Sequence, residues 1–139
     1  MKKLFGALLI ALLLFGTLTA CSVGKKEPLE LAKFLDEDCD VYLLVDNEVL
    51  DRFADEFEVR AKGINIILKV TPTNGDSEKS GYFVYCENAS TAKKMVEDLE
   101  KFADKDDDYF DDVLRFIIER SGSMVFFGCE DVWEDAKEA

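Results

Sequence analysis

Two hydrophobic periods alternate along this chain, and their order limits the fold more than any other feature. Val41 to Val45 is a short apolar run rich in β-branched and aromatic side chains, which marks a strand. Val49, Leu50, Phe53, Ala54 and Phe57 then follow helical spacing, with acids and Arg52 opposite; Asp46 or Asn47 is placed to cap this helix and Gly63 marks its end. Period two returns at Ile64, Ile66, Leu68 and Val70. Thr71 to Ser80 holds Pro72, Asn74-Gly75 and Asp76 and reads as a turn, and Gly81 to Cys86 is the second arm of a hairpin. Asn88 or Ser90 opens a second helix with its apolar stripe at Ala92, Met95, Val96, Leu99, Phe102 and Ala103, which fails in the acids of Asp104 to Asp108.

The segment that follows supports two readings. Phe110, Val113, Leu114, Ile117 and Ile118 match a helical template, whereas Leu114, Phe116 and Ile118 alternate and Ser121-Gly122-Ser123 is fit to turn one strand into the next. Met124 to Cys129 is a strand on either reading, and Glu130 to Lys137 is a closing helical turn or two with Val132, Trp133 and Ala136 available to pack. Strand, helix, strand, strand, helix, strand is the split βαββαβ plan of ferredoxin-like domains. An α+β fold is therefore expected, an antiparallel sheet with helices mainly on one face. In that plan the first strand lies between the third and the last. Pro28 to Glu37, with apolar Leu29, Leu31, Ala32, Phe34 and Leu35, reads as a short helix preceding this core and covering an edge or the open face.

The N-terminus carries a different pattern. Met1-Lys2-Lys3 is positive, Leu4 to Phe15 is almost unbroken apolar sequence, and small residues close it before Cys21, which are the parts of a secretory signal. The competing reading is an uncleaved anchor helix, but Leu4 to Ala20 falls short of the roughly 20 apolar residues of a span. Leu18-Thr19-Ala20-Cys21 resembles the lipobox of bacterial lipoproteins. That resemblance implies cleavage before Cys21, a diacylglycerol anchor with palmitate-class chains on its sulfur, and a protein held on the extracytoplasmic face of the cell membrane. Two acyl chains suffice for a stable tie where one is marginal. The expected organisation is a lipoprotein signal peptide over 1–20, a membrane-proximal tether over 21–27 containing Lys25 and Lys26, and a single domain over 28–139.

With Lys2 and Lys3 removed, the 17 bases of the chain become 15 against 30 acids, a balance of −15. Such a charge argues against nucleic acid and is repelled by anionic lipid surfaces as a whole, while it attracts cations or basic partners. Apolar residues make up 48% of the chain, which argues against disorder.

Gly81-Tyr82-Phe83-Val84-Tyr85-Cys86 with Glu87 to Lys94, and Glu119 to Gly128, are similar to segments of small secreted lipoproteins of Firmicutes, a group without an assigned activity. In these an arginine-x-glycine turn joins two strands before an acidic helix, which implies a hairpin over Leu114 to Phe127. Cys129 departs from the small hydroxyl residue expected there. The resemblance brings no catalytic residue with it.

Outside the cytoplasm a disulfide is permitted. With Cys21 acylated, Cys39, Cys86 and Cys129 remain. The split topology puts Cys39 and Cys86 at one end of the sheet, within roughly 8 Å and near bridging range; three buried free thiols are the alternative. With no histidine in the chain, His-based triads and most zinc sites are excluded, and no cofactor is implied. Asp104, Asp106 and Asp108 alternate like the opening of an EF-hand loop, but Tyr109 stands where its glycine belongs and Arg115 where its last acid belongs. Weak cation binding by those aspartates is what survives of that pattern. The aromatics of the sheet are core or an exposed patch for a protein partner. The functional expectation is a non-catalytic, membrane-anchored interaction module; the alternative is a lipoprotein that binds a small ligand or cation.

Overall fold

The computed structural model describes residues 23–73, 79–106, 108–113 and 115–139. The expected signal segment and Cys21 lie outside them. The elements are α1 (Pro28–Leu35), β1 (Cys39–Leu44), α2 (Asn47–Phe57), β2 (Ile64–Pro72), β3 (Gly81–Cys86), α3 (Ala89–Lys105), β4 (Phe116–Ser121), β5 (Met124–Cys129) and α4 (Glu130–Ala136). The fold is α+β, and all four strand pairs of its single sheet are antiparallel. The helix starts are chemically defined: Pro28 opens α1, the Asp46 carboxylate accepts from the Glu48 amide at 2.9 Å, and the Asn88 side chain accepts from the Thr91 amide at 2.8 Å.

The sheet order is β1-β2-β3-β5-β4. This corrects the ferredoxin-like placement of the first strand. β1 is not inserted between β3 and the last strand; it pairs with β2 alone and forms one edge of the sheet. The helix joining β1 to β2 makes an antiparallel return instead of crossing over to leave room for a strand between them. The order of elements along the chain is the same for both arrangements.

The second correction concerns layers. α2 and α3 share one face, packing Leu50, Phe53, Phe57, Met95 and Leu99 on Ile67, Val84, Val125 and Phe127. The other face is covered by α1 and α4, whose Leu31, Leu35, Val132 and Trp133 meet Leu68, Val70, Phe83 and Phe126. A sheet buried on both sides reads as continuous apolar sequence, as β5 does with all six residues buried. In β2 a bulge sets Ile64 and Ile66 against the adjacent residues Cys86 and Tyr85. It shifts the alternation, so that Ile64 joins Ile67 on the α2/α3 face and Ile66 joins Leu68 on the other.

The hairpin reading holds from Phe116 onward, and Leu114 lies outside the described residues: Ser121 pairs with Met124 across a tight turn in which Gly122 has φ +64°. The helical match arose because Phe110 and Val113 reach the two cores from a turn, not from a helix. Phe110 stacks on Phe116 with ring centroids 4.0 Å apart.

Candidate functional site

The antiparallel ladder gives the sheet two unlike ends. One holds the start of β2 at Ile64, the ends of β3 and β4 at Cys86 and Ser121, and the start of β5 at Met124. The other holds the start of β1 at Cys39, Pro72, Gly81 and Cys129.

The chain following Cys21 joins the Ile64 end. Val23 is 1% exposed and belongs to the α1/α4 core. The Gly24 amide donates to Ser121 Oγ at 2.9 Å, and a Cβ on Gly24 would sit 2.0 Å from the Ser121 carbonyl oxygen. The expected tether over 21–27 is thus corrected: from Val23 onward the chain is part of the domain. The sequence signal was slight, a lone valine before a glycine, and it was hidden by the following lysines.

The two sheet edges differ in chemistry. On β4 the exposed positions are Glu119 and Arg120, charges that blunt an edge. On β1 they are Tyr42 and Leu43, 52% and 42% exposed, continued by Val45 at 59%. No strand lies beside the outer edge of β1 among the described residues. Acids bracket this apolar edge, Asp36, Glu37, Asp38 and Asp40 at its start and Asp46 and Glu48 after its end. Sequence reasoning missed the edge because it made β1 central.

The cysteines do not converge as expected. Cys39 is opposite Pro72 and Cys86 is opposite Ile64, at the two ends of β2, which puts them roughly 25 Å apart. A Cys39–Cys86 bridge is excluded, and all three thiols are free. The error follows from the strand order: with β1 beside β2 instead of β3, its start falls at the far end of the sheet from Cys86. Burial, and then Asp135, Asp38 and Asp40, raise the Cys39 thiol above its ordinary value. Burial and Glu87 push Cys86 up to about 11. Neither is an activated nucleophile.

Asp104 lies in the last turn of α3, Asp106 is its C-cap and Asp108 lies in the following turn, all exposed. Among the described residues no three acidic or cysteine side chains come together as metal ligands, so the expected cation triplet is not assembled. Tyr109, in the same segment, donates its hydroxyl to Glu56 on α2 and so ties this turn to the aromatic core.

A cleft of about 380 Å³ lies between the α2–β2 loop and the first turns of α3. Arg60, Lys62 and Lys94 line it with Glu87, Ser90, Thr91 and Asp98. Lys94 is 3.5 Å from Asp98, and Arg60 and Lys62 are the other two cations lining the cleft. These two were not singled out from the sequence, since nothing in their spacing links them to α3.

No protein-family model, curated protein or solved structure matches the chain.

Proposed function

We propose that this protein is a membrane-anchored extracytoplasmic lipoprotein that acts as a non-catalytic interaction module, tied to the bilayer through Cys21 and docking a protein partner along β1. The anchor rests on the signal pattern ending in Leu18-Thr19-Ala20-Cys21. The docking rests on one observation: of the two sheet edges, β4 exposes charges and β1 exposes Tyr42 and Leu43. An extended partner segment can add to such an edge through main-chain hydrogen bonds, with successive side chains beside Tyr42 on one face of the sheet and Leu43 on the other. The brackets of acids select a segment with basic flanks. A second copy of this chain is a poor occupant, because antiparallel pairing would bring Asp38 and Asp40 toward Asp46 of the other copy, at a net charge of −13 on the full chain.

Site-specific photo-cross-linking in native membranes tests this. A probe at Tyr42 is expected to give one adduct of defined mass, and the adduct is lost when Asp38 and Asp40 are changed to lysine. A probe at Glu119, on the opposite edge, gives none. No adduct from Tyr42, or the same adducts from both edges, would refute the docking.

The cleft at Arg60 and Lys62 favours a second reading, in which a small anion is bound there; its polar groups converge as a ligand site requires. Calorimetric titration with inorganic phosphate distinguishes it, since saturable heat that disappears in Arg60→Ala would support it.

A further inference from the structure

We infer that the domain stands upright on an anionic bilayer, with the Ile64 end of the sheet against the lipid headgroups and the acidic Pro72 end pointing away. The inference rests on the anchor at Cys21 proposed above. It adds an orientation and a contact surface.

Two independent features point the same way. The first is mechanical. Cys21 is only two residues from Val23, about 7 Å of extended chain. Val23 is locked in the core, and the next amide is held by Ser121. With so short a reach from Cys21, the surface around Ser121 lies next to the headgroups. Two hydrogen bonds identify the rest of that surface: Cys86 N–H to the Ser123 carbonyl at 2.9 Å, and Glu87 N–H to the Gly63 carbonyl at 2.8 Å. The β4–β5 turn, the α2–β2 loop and the start of α3 are one contiguous end.

The second feature is electrostatic. Lys25, Lys26, Lys62 and Arg120 all lie at this end, and Arg60 adjoins it in the cleft. Arg120 is held over the turn by its bond to the Gly122 carbonyl at 2.8 Å. The acids at the same end are Glu27, Glu30, Asp46, Glu48 and Glu87, and in the cleft Asp98 pairs with Lys94, so this end is close to neutral. The excess of acid lies elsewhere: in residues 36–40, in 104–112 and in α4. A nine-residue strand such as β2 separates the two ends by roughly 25–30 Å. The field of an anionic surface decays over a Debye length of about 8 Å at physiological ionic strength. The acidic end is thus beyond the range of the surface when the domain is upright and is repelled when the domain tips over. Lysines and arginines at the near end meet the phosphates directly. Net charge alone implies repulsion; the distribution of charge turns that repulsion into an orienting force. In this pose the strands run near the membrane normal, and β1 offers its apolar edge sideways, toward proteins in the same membrane.

The test uses the full, native acylated protein in vesicles of phosphatidylcholine with and without phosphatidylglycerol, read by hydrogen exchange. On the anionic vesicles, amides of residues 60–63 and 120–124 are expected to exchange at least about fivefold more slowly than on neutral ones, with no change in 130–138. High salt removes the difference. So does the quadruple variant K25E/K26E/K62E/R120E, whose exchange in solution checks that it is folded. Equal exchange on both vesicle types, or protection of α4 instead, overturns the orientation. The intact mass of the same preparation separates this failure from failure of the anchor. Acylated protein without protection refutes the upright pose and leaves the anchor standing. Protein without acyl chains refutes the anchor, and the pose is then refuted as well if the protein fails to sediment with phosphatidylglycerol vesicles at low salt.

Discussion

The amide of Gly24 and the hydroxyl of Ser121, 97 residues apart, are joined by a 2.9 Å hydrogen bond that fastens the start of the folded chain to the end of β4. The contact leaves no room for a side chain at position 24, where a Cβ would strike the Ser121 backbone. Val23 and Gly24 therefore belong to the packed domain, two to three residues from the proposed lipid attachment.

Gly24→Ala is expected to destabilise the protein by about 1–3 kcal/mol through overpacking. Ser121→Ala, which removes the acceptor of this bond, should cost about 1 kcal/mol. Urea unfolding measures both. If Gly24→Ala leaves the midpoint unchanged, the start of the chain is not clamped as described.

Phe57 is the hub of the α2/α3 core, with its ring against Phe53, Tyr82, Phe102, Tyr109, Phe110 and Phe127. Phe57→Ala should cost about 3–5 kcal/mol. Leu29, exposed on the outside of α1, should tolerate alanine within about 0.5 kcal/mol. Equal effects at the two positions in a denaturant titration would contradict this core.

The thiols should differ in access. Cys39 is half-buried, whereas Cys86 and Cys129 are buried. Iodoacetamide at about pH 8 is expected to label Cys39 first, and the other two only when the protein unfolds. Peptide mass spectrometry should find no Cys39–Cys86 cross-link after mild oxidation of the folded protein. Finding that link in the native state would contradict the strand order.

Acid crowding around α4 sets a pH dependence. Burial, and then Glu138, Asp131, Asp38 and Glu134, raise Asp135 above the ordinary carboxylate range. Glu119 is raised by burial, with Lys137 opposing and Glu134 and Glu130 adding to the shift. In both cases the folded state binds the proton more tightly than the unfolded chain, so stability falls as pH rises through the raised values. The contribution of these two groups to Tm should grow as pH is lowered toward the ordinary carboxylate value of about 4, and Asp135→Asn should flatten the profile. A Tm that falls over this range would mean that stabilising ion pairs outweigh the crowding.

The elements were largely legible in the sequence because each carries its own period: the stripe from Ala92 to Phe102 and the alternation of Ile64 with its neighbours need no tertiary information. The arrangement was not legible. A helix between β1 and β2 is compatible with a crossover or with a simple return, and only packing of Leu44 and Phe53 over the same face decides. From that one choice came the misplaced β1, the supposed closeness of Cys39 and Cys86, and the unseen apolar edge at Tyr42 and Leu43. The second layer was hidden for a similar reason, since α1 and α4 are short helices at opposite ends of the chain that meet only over the sheet. The cleft at Arg60 and Lys62 and the acidic end are products of folding and have no linear motif.

The account as a whole stands on the lipid at Cys21. The most direct measurement is the intact mass and N-terminal fragment of the protein taken from native membranes. The mass is expected to correspond to a chain starting at Cys21 with a diacylglycerol on its sulfur, and Cys21→Ser should release the protein from the membrane fraction. A chain that retains Met1, or that starts at Cys21 with an unmodified thiol, would contradict it.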